Sequence, residues 1–378
     1  MFVAWRDLRF AKGRFALMGT VIVLITVLVG LLSGLTAGLG RENTSAITSL
    51  PADRLAFAAP AGDGDVSFAD SRVGRRTWEA WARVPGVTAA EPLGIGTGKA
   101  TAGAGAAQRT AALSAFGVRP GSDLAPSAGR IADGTAVLSR KAADELGVRA
   151  GDTFTLNGRK LTAAAVSGEA MYSHTPVVWT SLGDWAGVAG AGSGGSGARG
   201  AAGSRGSGDA DAATVVALTT SSDTGLAAAD RRLGTRTVTT GEALRAIGSY
   251  TAENGSLQLM RGFLFAISAL VIGAFFTVWT IQRSGDIAVL KALGAATRYL
   301  LRDALGQAVV LLVIGTGLGT AVAAAVGAAV GGTVPFVLEP ATVLVPALIM
   351  IALGAVGAAL SIRRITAVDP LTALGSAR

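Results

Sequence analysis

The segment DIAVLKALGAATRYLLRDAL, Asp286–Leu305, determines how the rest of the chain is interpreted. It is charged and has helical spacing, with Ile287, Leu290 and Leu293 on one face. Gly294 is placed to end this helix in a left-handed cap. The segment lies between two long uncharged stretches, where a short polar turn would be enough to join two membrane helices. A short helix with an apolar face at this place is suited to contact a partner protein.

Four stretches of the chain carry no charged residue, and each exceeds the roughly 20 apolar residues that cross a bilayer core. The uncharged stretches are residues 15–40, 262–282, 304–338 and 340–362. The predicted transmembrane helices are residues 15–40, 257–282, 304–333 and 340–362. Only 15% of all residues are charged, which is well below the ~25% of ordinary soluble domains. The first stretch is too long for a cleaved signal peptide and lacks a small-residue cleavage site. The sequence therefore predicts a multi-pass membrane protein.

Basic residues are distributed unevenly around the predicted spans. They precede the first span, separate spans two and three, and follow span four: Arg6, Arg9, Lys12, Arg14, Arg283, Lys291, Arg298, Arg302, Arg363, Arg364 and Arg378. The turn between spans three and four offers only Glu339. By the positive-inside rule, both termini and segment 283–303 are cytoplasmic and the chain lies in the cell membrane. Topology thus accounts for the net charge of +8, and no nucleic-acid partner is predicted.

The remaining residues fall into segments of different character. Residues 1–14 alternate basic and apolar side chains, which favours an interfacial helix on the cytoplasmic leaflet. Residues 41–256 mix helical patterns with strand patterns and an Asn157–Gly158 hairpin signal, which indicates a large extracellular α+β domain. Within it, residues 187–213 are rich in Gly, Ser and Ala and are predicted to be a mobile loop. Residues 363–378 form a cytoplasmic tail. The predicted fold class is four transmembrane α-helices with an N-terminal interfacial helix and an α+β domain between spans one and two.

Small residues recur at every fourth position in two of the spans. They are Gly30, Gly34 and Gly38 in span one, and Gly315, Gly319, Ala323, Gly327 and Gly331 in span three. This spacing places them on one helix face, where another helix can approach closely. The pattern predicts a packing contact or a seam between two copies of the chain. The abundance of glycine, 53 residues in all, is the competing explanation.

Patterns for catalysis and nucleotide binding are weak. GIGTGKAT, Gly94–Thr101, does not match a phosphate-binding loop, because Leu93 and Ala100 occupy positions that require Gly and Ser or Thr. His174 is the only histidine and cysteine is absent, which excludes multi-histidine and thiolate metal sites. We therefore predict a chain that is not an enzyme, with no metal site and no permanently bound cofactor. For His174, a structural role and a ligand role both remain open.

Two motifs resemble those of one transporter family. The segment GDIAVLKALGAATRYLLRDAL and the C-terminal RRITAVDPLTALGSAR, Arg363–Arg378, are similar to segments of FtsX/MacB-type ABC transporter permeases. The order of one span, a large external domain and three further spans also matches, although Asp286 stands where Glu is usual. The resemblance implies a homodimeric permease with two copies of a separate cytoplasmic ABC ATPase, which binds ATP. The residues expected to couple the two subunits are Asp286, Ile287, Leu290, Lys291, Leu293 and Gly294.

Within that family, three shorter motifs resemble haem-efflux permeases of the HrtB type. They are NTSAITSLPAD after span one, MYSHTPVVW in the external domain, and IGSYTAENGSLQLM before span two. The resemblance implies that the transporter extrudes haem from membrane lipid. Phenolate and thioether groups are known haem ligands, and guanidinium groups pair with carboxylates such as the propionates. The residues expected to bind haem are Tyr250, Glu42, Glu253, Met260 and Arg41, with Arg261 as a second partner for the propionates. We expect His174 to lie in the external domain, apart from this group.

Two other functions remain open from the sequence. One is export of a different amphipathic substrate, such as a lipid, lipoprotein, peptide or antibiotic. The other is transmission of ATP-driven movement to a cell-wall hydrolase or a sensor kinase, without a transported substrate. Tyr and Glu at a span end are also common as interfacial anchors, which is the structural alternative to haem binding.

Overall fold

The computed structural model describes residues 12–62, 64–192, 212–282, 285, 289, 294, 296–331 and 334–366. In chain order its elements are α1 (Lys12–Thr48), β1 (Arg54–Ala58), β2 (Val73–Gly74), α2 (Arg75–Trp81), β3 (Val87–Ala102), β4 (Arg109–Val118), β5 (Thr135–Leu138), α3 (Arg140–Leu146), β6 (Thr153–Leu156), β7 (Arg159–Val166), β8 (Met171–Tyr172), β9 (Thr175–Ser181), α4 (Leu182–Gly192), β10 (Ala212–Ala213), β11 (Val215–Thr220), α5 (Leu226–Leu233), β12 (Thr235–Thr239), α6 (Thr240–Ala243), α7 (Tyr250–Gln282), α8 (Thr297–Val330) and α9 (Pro340–Thr366). The chain divides into two compact units. One unit is Gly40–Asn254, and the other combines the residues up to Leu39 with those from Gly255 onwards.

Among the described residues, four helical segments are long and apolar enough to cross a membrane. They are Ala16–Thr48, Tyr250–Gln282, Arg302–Val330 and Pro340–Ser361. Ile272, Phe276 and Leu312 are buried between these helices, whereas Leu270 and Leu348 are exposed, as expected for side chains that face lipid. Helices α1 and α7 extend past the predicted span ends at residues 40 and 257. The uncharged pattern marked only their apolar parts.

The small-residue stripe packs within the chain, where α8 meets α1. A Cβ added at Gly319 would lie 2.6 Å from Thr26 Cβ and 2.7 Å from the carbonyl oxygen of Val23. A Cβ added at Gly30 would lie 2.8 Å from Ala323 Cβ. The helix axes approach closely here because neither face carries a bulky side chain. These positions are therefore occupied by an internal contact and are not free to form a seam between two copies.

The segment that joins α8 to α9 enters one end of this helix contact. The ring of Phe336 lies against Gly34 of α1 and Gly327 of α8. The backbone N–H of Val337 donates a hydrogen bond to the Gly34 carbonyl at 3.2 Å. The two helices thus touch directly at Gly30 and are separated by an aromatic ring at Gly34.

The unit Gly40–Asn254 is built on a ten-stranded sheet in the order β12-β1-β11-β3-β4-β9-β5-β7-β6, with β8 paired to β9. One core packs α3 and α4 against the sheet around Trp185. Another core contains Ile47 of α1, Tyr172 of β8 and Ile247, with Tyr250 of α7 packed against it. The last turns of α1 and the first turn of α7 are therefore part of this unit, and this arrangement positions the candidate site.

Local signals in the sequence correspond to local structure in this unit. Strands β6 and β7 are joined by Asn157 and Gly158, whose φ angles of 46° and 84° are those of the predicted hairpin turn. Two helical patterns of the sequence correspond to helices: TWEAWARVPGV overlaps α2, and SRKAADELGV contains α3. Each of these patterns depends only on residues adjacent in the chain.

The predicted loop at residues 187–213 is wrong at both ends. Helix α4 continues to Gly192, because Trp185 and Val188 are buried and hold the helix against the sheet. At the other end, Ala212–Ala213 pairs with Val73–Gly74 as a two-stranded sheet. Residues 193–211 lie outside the described residues.

The cytoplasmic segments of the prediction are described only in part. Lys12–Arg14 of the expected interfacial helix at residues 1–14 begin α1, and residues 1–11 lie outside the described residues. Residues 363–366 of the expected tail continue α9, and residues 367–378 lie outside. Most of segment 283–295 is also outside the described part.

Candidate functional site

Glu42, near the end of α1, is paired with a lysine of the α+β unit. Its Oε1 accepts a hydrogen bond from Lys141 Nζ at 2.5 Å. Lys141 lies on α3, which is capped by the Ser139 side chain accepting the Ala142 N–H. Burial raises the pKa of Glu145 on the same helix, while Lys141 lowers it and the charge of Glu42 raises it. Two carboxylates therefore lie near one lysine.

Glu253, in the first turn of α7, has two partners in the same unit. Its Oε2 accepts a hydrogen bond from Asn43 Nδ2 at 2.8 Å and lies 2.8 Å from His174 Nε2. An ionised carboxylate can only accept, so Nε2 carries the proton in this contact. Asn43 is only 3% exposed, and its Oδ1 has no hydrogen-bond partner among the described residues. The Glu253 side chain is 41% exposed, so part of it is accessible to a ligand.

His174 belongs to a two-residue turn between β8 and β9, which we call the His174 turn (Ser173–His174). The backbone N–H groups of Ser173 and His174 donate to the carbonyls of Asn43 and Glu42 at 3.0 and 3.2 Å. Nearby, Ser45 Oγ accepts the Met171 N–H at 2.9 Å. The prediction that His174 lies apart from the haem-binding candidates is therefore wrong. The turn is hydrogen-bonded to α1, and the His174 ring contacts Glu253. No local sequence pattern reveals these contacts.

Tyr250 and Arg41 lie close in sequence to the two glutamates. Tyr250 is the first residue of α7 and shares a helix face with Glu253, three residues later. Its ring is half-buried against the core around Ile247, so an anchoring role is also served. Arg41 is exposed on α1, next to Glu42.

Met260 and Arg261 lie further along α7, in the membrane unit. Met260 is 49% exposed. The guanidinium of Arg261 stacks over the ring of Phe265 at 5.8 Å, a cation–π contact. Glu42, Glu253 and Tyr250 thus lie in one unit. The haem-binding role expected of Met260 and Arg261 stays a prediction.

The expected coupling residues are described at a single position. Gly294 lies in a turn with φ of 93°, a conformation that favours glycine and agrees with the predicted end of the preceding helix. Asp286, Ile287, Leu290, Lys291 and Leu293 lie outside the described residues. Helix α8 begins at Thr297, within the predicted cytoplasmic segment 283–303.

Asn43 and Lys141 were not predicted as site residues. Asn43 begins the motif NTSAITSLPAD, so its position in that motif was a usable signal. Lys141 lies in an ordinary helical pattern, and its contact with Glu42 depends wholly on tertiary structure. Over the described residues, no group of three or more His, Cys, Asp or Glu side chains is arranged to hold a metal ion.

The three motifs quoted for their resemblance to haem-efflux permeases meet at this place. NTSAITSLPAD contributes Asn43, MYSHTPVVW contributes His174, and IGSYTAENGSLQLM contributes Tyr250 and Glu253. Asn43 and Glu253 are 210 positions apart in the chain. Segments distant in sequence therefore form one polar cluster between the end of α1 and the start of α7.

Comparison with known families and proteins matches both parts of the chain. Residues 15–236 match the MacB-like periplasmic core domain, and residues 259–370 match the FtsX-like permease C-terminal region. Relatives named putative hemin transport system permease protein HrtB are 25% identical in Staphylococcus haemolyticus and 23% identical in Staphylococcus epidermidis. Each alignment covers 99% of this chain and 99% of the relative. An uncharacterized ABC transporter permease of Mycobacterium tuberculosis is 26% identical with the same coverage.

Among solved structures, the extracellular domain of the noncanonic ABC-type transporter YknZ from Gram-positive bacteria is 12% identical. The alignment covers 50% of this chain and 98% of that domain, with a TM-score of 0.33. The family matches confirm the predicted fold class, in which membrane helices carry an extracellular α+β domain between the first and second spans.

Proposed function

The chain belongs to the family of the MacB-like periplasmic core domain, is an ABC transporter permease with an FtsX-like C-terminal region, and on this premise we propose that it exports haem. In this proposal the permease acts as a homodimer with two copies of a separate cytoplasmic ATPase. ATP-driven closure of the ATPases moves the segment 283–303 and the attached spans. That movement opens and closes a haem site formed around the ends of α1 and α7.

The observation that carries this proposal is the cluster of Asn43, His174, Tyr250 and Glu253. These residues come from the three motifs that are similar to haem-efflux permeases. The full-length likeness to relatives named hemin transport permeases supports the same substrate. Phenolate and carboxylate groups supply oxygen ligands for ferric iron.

The residues divide the work of binding by their chemistry. Tyr250 offers both an aromatic face for the porphyrin and a phenolic oxygen for the iron. Glu42 and Glu253 are carboxylate ligands on two different helices. Arg41 is suited to pair with a propionate. Haem partitions into lipid, and Glu42 follows span one while Tyr250 and Glu253 precede span two in the chain. We therefore propose that haem enters the site from the membrane.

We expect purified wild-type permease to bind haem with a visible absorption band at about one haem per dimer, as one site on a two-fold axis requires. The double variant Tyr250→Ala/Glu42→Ala should weaken or shift that band, and cells that carry it should become sensitive to added haem. A control is Glu169→Ala, which removes a carboxylate at an exposed position outside the cluster. Absence of haem binding by the wild type at micromolar haem would contradict the proposal and leave another amphipathic substrate.

The proposed orientation has a direct test, because the chain contains no native cysteine. Ala106→Cys and Ala296→Cys are both exposed alanine positions. On intact cells a membrane-impermeant maleimide should label Ala106→Cys at once and Ala296→Cys only after permeabilisation. Labelling of Ala296→Cys from outside would reverse the orientation and remove the contact with a cytoplasmic ATPase.

A further inference from the structure

The His174 turn has a backbone conformation that its residues disfavour. Ser173 and His174 have φ angles of 48° and 61°, so two consecutive non-glycine residues lie in the left-handed region. A two-residue hairpin turn of this kind favours Asn-Gly, because a Cβ is crowded there. Such a conformation persists only where surrounding contacts hold it. The turn is therefore maintained by interactions made beyond the hairpin.

Three contacts hold the turn against the two helix ends. Two of them are the backbone hydrogen bonds from Ser173 and His174 to the carbonyls of Asn43 and Glu42. The third joins His174 Nε2 to Glu253 Oε2 at 2.8 Å. The first two contacts involve α1 and the third involves α7. The His174 ring is thus the point at which the turn holds the first residues of α7.

Both candidate carboxylates are already engaged within the chain. Glu42 is paired with Lys141, and Glu253 is held by Asn43 and His174. A ligand that uses either carboxylate must displace these partners. The exchange is accessible, because the side chains of His174 and Glu253 are 35% and 41% exposed. Among the residues that the structure describes, none hydrogen-bonds to the buried Asn43 Oδ1, so this polar group is left unsatisfied in the arrangement.

We propose that the His174 turn is a latch, which holds Glu253 against α1 in the substrate-free chain and must release it before substrate binds. The inference rests on the proposed function, since Glu253 is one of the residues assigned to haem. Ferric iron attracts a carboxylate more strongly than an imidazole N–H does. A ligand with a Lewis-acidic metal centre can therefore take Glu253 from His174, whereas a purely apolar ligand cannot. His174 acts in this way as a positioning residue and not as an iron ligand.

The latch predicts that His174→Ala binds haem more tightly than the wild type, with Kd lower by about three- to tenfold. Loss of the ring raises the fraction of molecules in which Glu253 is free, and the apparent affinity rises with that fraction. His174→Gln should behave as the wild type, because the glutamine amide N–H can donate to the Glu253 carboxylate. The glutamine and alanine variants carry the same backbone strain at this position, so a difference between them reports the side-chain contact. Arg140→Ala, which breaks the exposed ion pair with Glu169, is the control. Weaker haem binding by His174→Ala would indicate that His174 is an iron ligand. Unchanged haem binding would indicate that the contact between His174 and Glu253 has no effect on affinity. Either result overturns the latch.

Hydrogen exchange tests the latch without haem. Peptides that span residues 171–175 should exchange faster in His174→Ala than in the wild type or His174→Gln, because the Ser173 and His174 amides are hydrogen-bonded to α1. Added haem should accelerate the same amides in the wild type, and continued protection in the haem-bound protein would overturn the latch. If the wild type binds no haem, the proposed function fails, and the ligand-free exchange still decides the latch. Equal exchange in all three proteins would then refute it, and faster exchange in His174→Ala alone would retain it for a different ligand.

Discussion

Replacement of Gly319 by leucine is expected to leave little folded protein in the membrane. The new side chain would point at α1, because its Cβ alone would lie 2.6 Å from Thr26 Cβ and 2.7 Å from the Val23 carbonyl oxygen. Overpacking costs roughly 1–3 kcal/mol even where neighbouring side chains can move. Here one neighbour is backbone, so α1 and α8 must separate along their contact. We expect a large loss of monodisperse protein in size-exclusion chromatography after extraction in detergent.

The chain provides a matched control two residues away. Gly317 lies on the same helix and has no atom within 4 Å of an added Cβ, so Gly317→Leu should yield nearly as much folded protein as the wild type. Because both variants make the same change in helix propensity and hydrophobicity, a difference between them measures the contact alone. Equal yields and equal thermal stability would mean that α8 does not pack on α1 through this stripe.

Leu290→Asp is expected to abolish assembly with the ATPase subunit. The helical spacing of the sequence predicts an apolar face of Ile287, Leu290 and Leu293, and this face is the proposed docking surface. A carboxylate buried there without a partner costs on the order of several kcal/mol, which is enough to dissociate most complexes. Co-purification with the ATPase and stimulated ATP hydrolysis should both fall sharply, while the α+β unit remains folded.

Ala288→Asp is the control for this effect, because residue 288 falls on the opposite side of a helix with this spacing. It adds the same charge to the same segment and should leave assembly nearly unchanged. If Leu290→Asp assembled and turned over ATP like the wild type, the segment would be a simple connector between spans. If both variants failed equally, charge and not the apolar face would be the cause.

The parts of the fold that the sequence predicted depend on neighbours in the chain. Uncharged runs identified the four spans, and the Asn157–Gly158 pair identified a hairpin, since both signals are complete within a few residues. The loop predicted at residues 187–213 was placed by composition alone. Its first residues are helical because Trp185 and Val188 reach a core built by distant strands, which composition does not record.

The candidate site shows the same division between local and distant information. The predicted topology selected Glu42, Tyr250 and Glu253 because they lie beside the outer ends of spans one and two, and it placed His174 apart from them. The contact between His174 and Glu253 joins residues 79 positions apart, and that between Lys141 and Glu42 joins residues 99 positions apart. Such pairings follow from how the β8–β9 hairpin and α3 dock on α1. They were therefore beyond reach until the fold was known.

The ring of Phe336 makes the spacing between α1 and α8 differ along their contact. The helices meet face to face along Gly30 and Gly319, while at Gly34 and Gly327 a flat side chain from the α8–α9 connection stands between them. The two helices therefore touch where the small residues meet, and the Phe336 ring holds them apart at Gly34 and Gly327. Withdrawal of the Phe336 ring would let α1 and α8 approach each other at Gly34 and Gly327, and deeper insertion of the ring would separate them further. A displacement of the α8–α9 connection would therefore be expected to change the angle between α1 and α8.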